Sequence, residues 1–123
     1  KATGAPKREL VHALLHALAE GSRGGALIAI QKAAKADTDM KLFLELVAES
    51  LRNVLLVRHA PELEADIKAE VGEDEYAALL AYAKGKGITH QTLLAFLTAS
   101  DRIRYAPIPA IPLELAVLEL FPE

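Results

Sequence analysis

One long apolar stretch constrains the fold of this chain more than any other feature. From Asp39 to Arg58, apolar residues recur at helical spacing and cover most of the helix circumference. A helix of this kind is normally buried by neighbours on several sides. Its widest face comprises Phe43, Leu44, Val47, Leu51, Val54, Leu55 and Arg58, and a second stripe comprises Leu42, Leu46 and Val57. We therefore expect a central helix with Leu51 fully buried and the other segments packed around it.

Both ends of this helix carry recognisable signals. Asp37 or Asp39 can cap its start, because a short carboxylate accepts hydrogen bonds from the free amides of the first turn. Pro61 ends it, since proline lacks an N–H and disfavours helix at the residue before it. The positions expected to face water are Lys41, Glu45, Glu49, Arg52 and Asn53.

Composition narrows the class of protein. The chain has 123 residues, the size of one domain; 52% are hydrophobic but only 5% are aromatic, so the core must consist of aliphatic side chains, as suits closely packed helices. Cysteine is absent, which excludes disulfides, thiolate metal sites and thiol nucleophiles. The net charge of −3 argues against a dedicated nucleic-acid surface. No apolar run reaches the length of a membrane span.

Helix signals divide the rest of the chain. Gly21 and Gly72 are expected to end helices, and Gly24 and Gly25 to weaken the first turn of the second helix. Residues 84–87 read as a turn. Helices are expected to begin at or near Pro6, Ser22, Pro61, Asp74, Thr89 and Pro112.

Two details of the later helices are specific enough to test. Leu93, Leu94, Phe96, Leu97 and Ile103 are expected to face inward from the helix that follows Thr89. Residues 105–112 are expected to be extended, because each proline restricts the residue before it. No stretch shows useful strand alternation. The predicted fold class is all-α, a compact bundle of about six to seven helices around the long central one, with residues 1–5 as a linker and residues 6–123 as a single helical domain.

Two histidines are the candidates for a metal site. His12 and His16 lie four residues apart on one helix face, and Glu9 gives the Glu-x-x-His spacing of bundle di-metal sites. The sequence has no second copy of this motif. A metalloprotease helix would need glutamate directly after the first histidine, where Ala13 stands. We therefore interpret both as surface or boundary histidines and assign no metal ligand.

Other polar groupings have ordinary explanations. The carboxylates between Glu62 and Glu75 fit a solvated helix face, and the glycines of residues 84–87 lack the frame of a phosphate loop. Pro109 and Pro112 match a minimal proline-rich ligand, but a stiff elbow that aims the last helix is the preferred interpretation. We assign no catalytic and no cofactor-binding residue.

The last helix, residues 112–121, is the informative anomaly. Apolar residues cover most of its circumference, and Glu114 and Glu119 are its only charges. Either it lies deep in the fold, or part of it faces another protein, since a large apolar surface patch usually marks an interface. The sequence leaves both alternatives open.

Three segments carry a family resemblance. Residues 24–34 form a helical segment after a glycine pair, residues 42–57 form a Leu-rich helix with a late arginine, and residues 103–120 form a Tyr-Ala-Pro elbow followed by a helix with an early glutamate, Glu114, and a leucine run. In this order they resemble the third domain of the bacterial DNA polymerase III gamma/tau subunit. The resemblance covers nearly the whole chain and departs at Pro109 and Pro112, where many relatives carry one proline.

This resemblance implies an all-helical collar domain. In that family the domain joins gamma/tau copies, delta and delta-prime into the pentameric clamp-loader ring that serves DNA replication in the bacterial cytoplasm. The parent subunit is an ATPase, but its nucleotide-binding motifs do not occur in this sequence. The resemblance therefore implies ATP and magnesium only in the parent's N-terminal module. It implies no enzyme activity, no direct nucleic-acid contact and no membrane contact for this domain.

The resulting hypothesis is an oligomerisation domain that works through helical surface. The residues expected near its interface are Arg102, Arg104, Tyr105, Glu114, Leu115 and Leu118. One alternative is a small enzymatic or metal-binding bundle that uses His12 and His16. Another is an adaptor bundle with a groove for a partner helix.

Overall fold

The architecture is a bundle of α-helices. The structure, a computed structural model, describes residues 7–122, which contain seven α-helices, two short 3-10 helices and no β-strand. The all-α fold class is thereby confirmed. The α-helices are α1 (Arg8–Glu20), α2 (Arg23–Lys35), α3 (Met40–His59), α4 (Glu64–Val71), α5 (Glu73–Lys84), α6 (His90–Arg102) and α7 (Ala110–Leu120), and the 3-10 helices are Pro61–Leu63 and Ile103–Tyr105.

The predicted central helix is confirmed as α3. It packs against α1, α2, α4, α5 and α6, whereas α7 packs mainly against α6 and α2. Leu51 is fully buried, as expected. One continuous core includes residues of all seven α-helices, and α3 contributes Met40, Phe43, Leu44, Val47, Leu51, Val54 and Val57 to it.

The helix ends follow local chemistry. Of the two candidate caps for α3, Asp39 is the one used: its Oδ1 accepts hydrogen bonds from the amides of Lys41 and Leu42, both at 3.1 Å. Gly21 ends α1 in the left-handed region, with φ of 71°, as predicted for a C-cap. Ser22 and Thr89 cap α2 and α6, also as predicted. Pro6, predicted to begin the first helix, lies outside the described residues.

The first turn of α2 differs from the expectation. We predicted that Gly24 and Gly25 would weaken it, yet regular helix begins at Arg23. The Gly25 amide donates to the Ser22 Oγ at 3.0 Å. A Cβ at position 25 would lie 2.7 Å from that same oxygen. The glycine thus leaves room for the cap that stabilises the turn.

Arg58 fixes the turn between α5 and α6. Its guanidinium donates to the backbone carbonyls of Ala83 (2.9 Å), Gly85 (3.0 Å) and Ile88 (2.7 Å). These carbonyls lie in and after the last turn of α5, where helical partners run out. A single side chain of α3 therefore holds the end of α5 and the start of the segment that leads into α6.

The segment before α7 corrects another prediction. We expected residues 105–112 to be extended, but Ile103–Tyr105 is a 3-10 helix and α7 already begins at Ala110. Ala106 has extended angles, with φ of −84° and ψ of 129°, whereas residues 107–109 form bends and a turn. Pro112 is accommodated inside the first turn of α7, because a first-turn residue has no helical acceptor for its N–H and loses nothing when proline removes it.

Two predictions about side-chain direction are wrong. Asn53, expected to face water, is only 5% exposed. Leu94 and Leu97, expected to face inward, are 61% and 47% exposed. In both cases helical spacing alone did not determine where the neighbouring helices pack.

Candidate subunit interface

Exposed apolar side chains concentrate at the C-terminal end of the described chain. Nine large hydrophobic residues are exposed among residues 7–122, and seven of them lie between positions 94 and 118. These seven are Leu94, Leu97, Tyr105, Ile108, Ile111, Leu115 and Leu118. We call them the α6–α7 surface. The other two, Ile28 and Leu80, lie on α2 and α5.

The two helices of this surface each divide into a core face and a solvent face. In α6, the buried residues Thr92, Phe96 and Ala99 are spaced by four and three positions and fix the helix against its neighbours. In α7, the exposed residues Ile111, Leu115 and Leu118 follow an i, i+4, i+7 stripe. Since α6 and α7 pack against each other, their solvent faces belong to adjacent elements.

The last helix therefore combines the two alternatives that the sequence left open, since one of its faces is buried and another is exposed. Leu113, Ala116 and Val117 are buried in the core, and the α7 stripe lies in solvent. A helix with apolar residues on both faces would normally bury both. The outward face, with Ile111, Leu115 and Leu118 at 37%, 45% and 42% exposure, is thus apolar surface that residues 7–122 cover only in part.

The six residues predicted near an interface all lie on the surface elements of this region. Arg102, Arg104, Leu115 and Leu118 are exposed, Tyr105 is 78% exposed, and Glu114 is partly buried. The Arg104 guanidinium lies 5.5 Å from the centre of the Tyr105 ring, within the range of a cation–π contact. Whether these residues contact a partner stays a prediction.

Sequence reasoning missed four members of this surface. Ile108 and Ile111 fell within the segment expected to be extended, and Leu94 and Leu97 were assigned to the core. A usable signal was present for Ile111, since it continues the Leu115 and Leu118 stripe one turn back. No comparable signal distinguished Leu94 from the buried Phe96.

The histidine pair does not converge on a metal site. Both ring nitrogens of His12 have partners: Nδ1 lies 2.7 Å from the Tyr82 hydroxyl, and Nε2 lies 2.9 Å from Glu75. His16 is exposed. Among residues 7–122 no group of three or more His, Asp or Glu side chains is placed to hold a metal ion. By exposure alone, His12 is partly buried and His16 lies on the surface.

The same contacts correct the picture of a uniformly solvated acidic face. Glu75 is partly buried and also accepts from the Arg8 Nε at 2.8 Å, so it ties α5 to α1. Burial, and next the nearby Glu75 carboxylate, raise the pKa of Tyr82 above its ordinary value, with Arg8 acting in the opposite direction. The cluster of Arg8, His12, Glu75 and Tyr82 is a structural link between helices.

Two further observations concern the class of protein. None of the described helices combines the length and the apolar character that a membrane crossing requires. Pro109 and Pro112 lie at the start of α7 and not in an extended ligand conformation, which favours the elbow interpretation.

Comparison with known proteins agrees with this architecture. No curated protein and no solved structure matches the chain. A family model described as DNA polymerase III subunits gamma and tau domain III matches residues 2–122, nearly the full sequence. The sequence segments that resemble this domain, the all-helical bundle and the family match coincide. The chain therefore belongs to the family of DNA polymerase III gamma and tau subunits, domain III, a domain of a clamp-loader subunit.

Proposed function

We propose that this domain is an oligomerisation, or collar, domain that joins clamp-loader subunits into the ring that loads the sliding clamp during DNA replication. The observation that carries the proposal is the α6–α7 surface, which gathers seven of the nine exposed large hydrophobic residues within residues 7–122. Contiguous apolar surface that a domain leaves uncovered usually marks a site of association.

The composition of this surface supports a protein partner. It combines Tyr105 and aliphatic side chains with Arg102 and Arg104 at the elbow. Aromatic residues and arginine are enriched in protein interfaces, because they bury a large area at a modest entropic cost and still form directed polar contacts. A standard interface buries about 800 Å² on each partner.

The proposed partners follow from the family. They are other gamma/tau copies and the delta and delta-prime subunits, in the bacterial cytoplasm. The domain would work without ATP, magnesium or direct contact with nucleic acid, and its contribution would be structural and not catalytic. ATP and magnesium would belong to the N-terminal module of the parent subunit.

The decisive experiment is multi-angle light scattering of the 123-residue chain, alone and mixed with the delta and delta-prime collar domains. We expect concentration-dependent assembly of the chain alone or a defined complex in the mixtures. A chain that stays monomeric well above micromolar concentration, and that binds neither partner, would exclude the proposed function.

A further inference from the structure

A second surface lies away from α6 and α7. It is a groove of about 670 Å³ between α1, α3 and the junction of α4 with α5, and we call it the α1–α5 groove. This volume lies within the range of clefts that bury a small ligand or a few side chains. Its lining includes no residue of α6, α7 or the intervening elbow. One copy of the chain can therefore use both surfaces at once.

The floor of the groove is apolar, with one buried polar group. Val11, Leu46 and Val71 line it, and Asn53 lies among them at only 5% exposure. The Asn53 side-chain oxygen accepts one long hydrogen bond, 3.4 Å from Arg52. An amide side chain in the lining can donate a hydrogen bond to, or accept one from, a polar atom that enters the groove.

The rim of the groove is acidic. Glu49, Glu73, Asp74 and Glu75 line it, together with one cation, Arg8. Arg8 already pairs with Glu75, whereas Glu49, Glu73 and Asp74 form no ion pair within residues 7–122. The groove therefore favours an occupant that carries positive charge beside an apolar or aromatic side chain.

The elbow of the chain has this chemistry. Arg102 is the last residue of α6, and Arg104 lies two positions later in the 3-10 helix. Both are exposed, and neither forms an ion pair within the described residues. Tyr105 is the most exposed large hydrophobic residue there, at 78%. A tyrosine brings an apolar ring and a hydroxyl, which match the floor and the Asn53 amide respectively.

We propose that the α1–α5 groove of one copy receives the elbow, residues 102–105, of a second copy. This inference rests on the proposed oligomerisation and specifies how copies meet. Tyr105 enters between Val11, Leu46 and Val71, and the two arginines face the acidic rim. Such a contact joins two different surfaces, so it is head-to-tail. A head-to-tail contact generates a ring or an open chain of subunits and does not stop at a symmetric dimer.

The test uses sedimentation velocity of the 123-residue chain with each surface reversed in charge. The groove variant is Glu73→Lys with Asp74→Lys, and the elbow variant is Arg102→Glu with Arg104→Glu. We expect each variant alone to self-associate at least about tenfold more weakly than the unmodified chain, because like charges then face each other. An equimolar mixture should regain assembly, since the unmodified elbow of one variant meets the unmodified groove of the other, and the two reversed surfaces also carry opposite charges.

Matched variants control for charge and for folding. Glu62→Lys with Asp66→Lys makes the same charge change on exposed acidic residues outside the groove lining, and it should assemble like the unmodified chain. Circular dichroism checks that each variant keeps its helices. If the groove variant fails to fold, Glu49→Lys on the middle of α3 replaces it, with the same expected loss.

The outcomes separate the two proposals. A groove variant that assembles like the unmodified chain, or a mixture that stays monomeric, overturns the groove–elbow contact while oligomerisation stands. A chain that does not self-associate before any change removes the basis for this contact, and then only complexes with other subunits would sustain the proposed function.

Discussion

At the scale of single residues, Arg58 shows how a charged side chain can belong to a mostly apolar helix. Its position on the wide face of α3 follows from spacing alone, but its role depends on three carbonyls that lie 25 to 30 positions later in the chain. The planar guanidinium can serve all three, because its five N–H donors have a fixed fork geometry.

Replacement of Arg58 should be costly. Arg58→Met keeps most of the aliphatic length but leaves the carbonyls of the α5–α6 turn without donors, and we expect a loss of about 2–4 kcal/mol in unfolding free energy. Arg58→Lys should recover only part of this, since an ammonium cannot reach all three acceptors. Urea unfolding measures both. Equal stability of the methionine variant and the unmodified chain would mean that the carbonyls are satisfied by solvent.

Tyr82 gives a pH-dependent prediction. Its raised pKa means that the folded protein holds the phenolic proton more tightly than the unfolded chain does. Tyr82 therefore contributes stability that is complete below the ordinary pKa of 10.0 and is lost as pH rises through the folded-state pKa. We expect Tyr82→Phe to cost about 0.5–1.5 kcal/mol at neutral pH, because the 2.7 Å hydrogen bond to His12 is lost.

The difference between Tyr82→Phe and the unmodified chain should shrink above about pH 10. Urea unfolding at neutral pH and at about pH 11 measures it. Tyr105→Phe is the matched control, since this ring lies in solvent and its loss should leave the unfolding free energy unchanged at neutral pH. A difference for Tyr82→Phe that grows with pH would contradict the proposed direction of the shift.

At the scale of elements, the packing of the α5–α6 turn on the end of α1 depends on Gly87. A Cβ at this position would clash with the backbone carbonyl of Leu18 and would lie 2.5 Å from that of Ala19. Backbone atoms at a helix end cannot swing aside as a side chain can. The close approach of two elements, and not a special backbone angle, therefore requires this glycine.

Gly87→Ala should destabilise the domain by about 1–3 kcal/mol, the usual range for overpacking. Gly24→Ala is the matched control: a Cβ there meets nothing within 4 Å, and alanine favours helix, so this variant should be neutral or more stable by up to about 1 kcal/mol. Thermal unfolding of the pair, followed by circular dichroism, measures both. Similar melting temperatures would show that the turn can move away from α1.

At the scale of the whole molecule, exposed leucines on different helices allow effects on stability and effects on association to be measured separately. Leu118 on α7 and Leu80 on α5 are 42% and 39% exposed, so their replacement by serine should cost similar amounts of unfolding free energy, about 1 kcal/mol each. Only Leu118 belongs to the α6–α7 surface. Leu118→Ser should therefore weaken assembly about tenfold or more in light scattering, whereas Leu80→Ser should not. Equal effects would argue against this surface as the interface.

The sequence predicted most of the elements. Periodicity placed α3 and its buried Leu51, and capping residues placed the starts of α2, α3 and α6, because these signals act within one or two turns. The start of α7 was misplaced by two residues, since proline is compatible both with extended chain and with a first helical turn. Of the six residues predicted near an interface, Tyr105, Leu115 and Leu118 belong to the α6–α7 surface, whereas Leu94 and Leu97 of that surface were assigned to the core. Whether Arg102, Arg104, Glu114 or these three contact a partner stays a prediction.

The sequence by itself determined that this chain forms helices, where most of them begin and end, and which family it resembles. Only the tertiary structure decided which apolar faces were covered. Leu94 and Phe96 differ by two positions on one helix, yet one lies in solvent and the other in the core. The physical reason is that a helix apolar on several sides offers more surface than its neighbours can cover. Which side they cover depends on how all seven helices pack together.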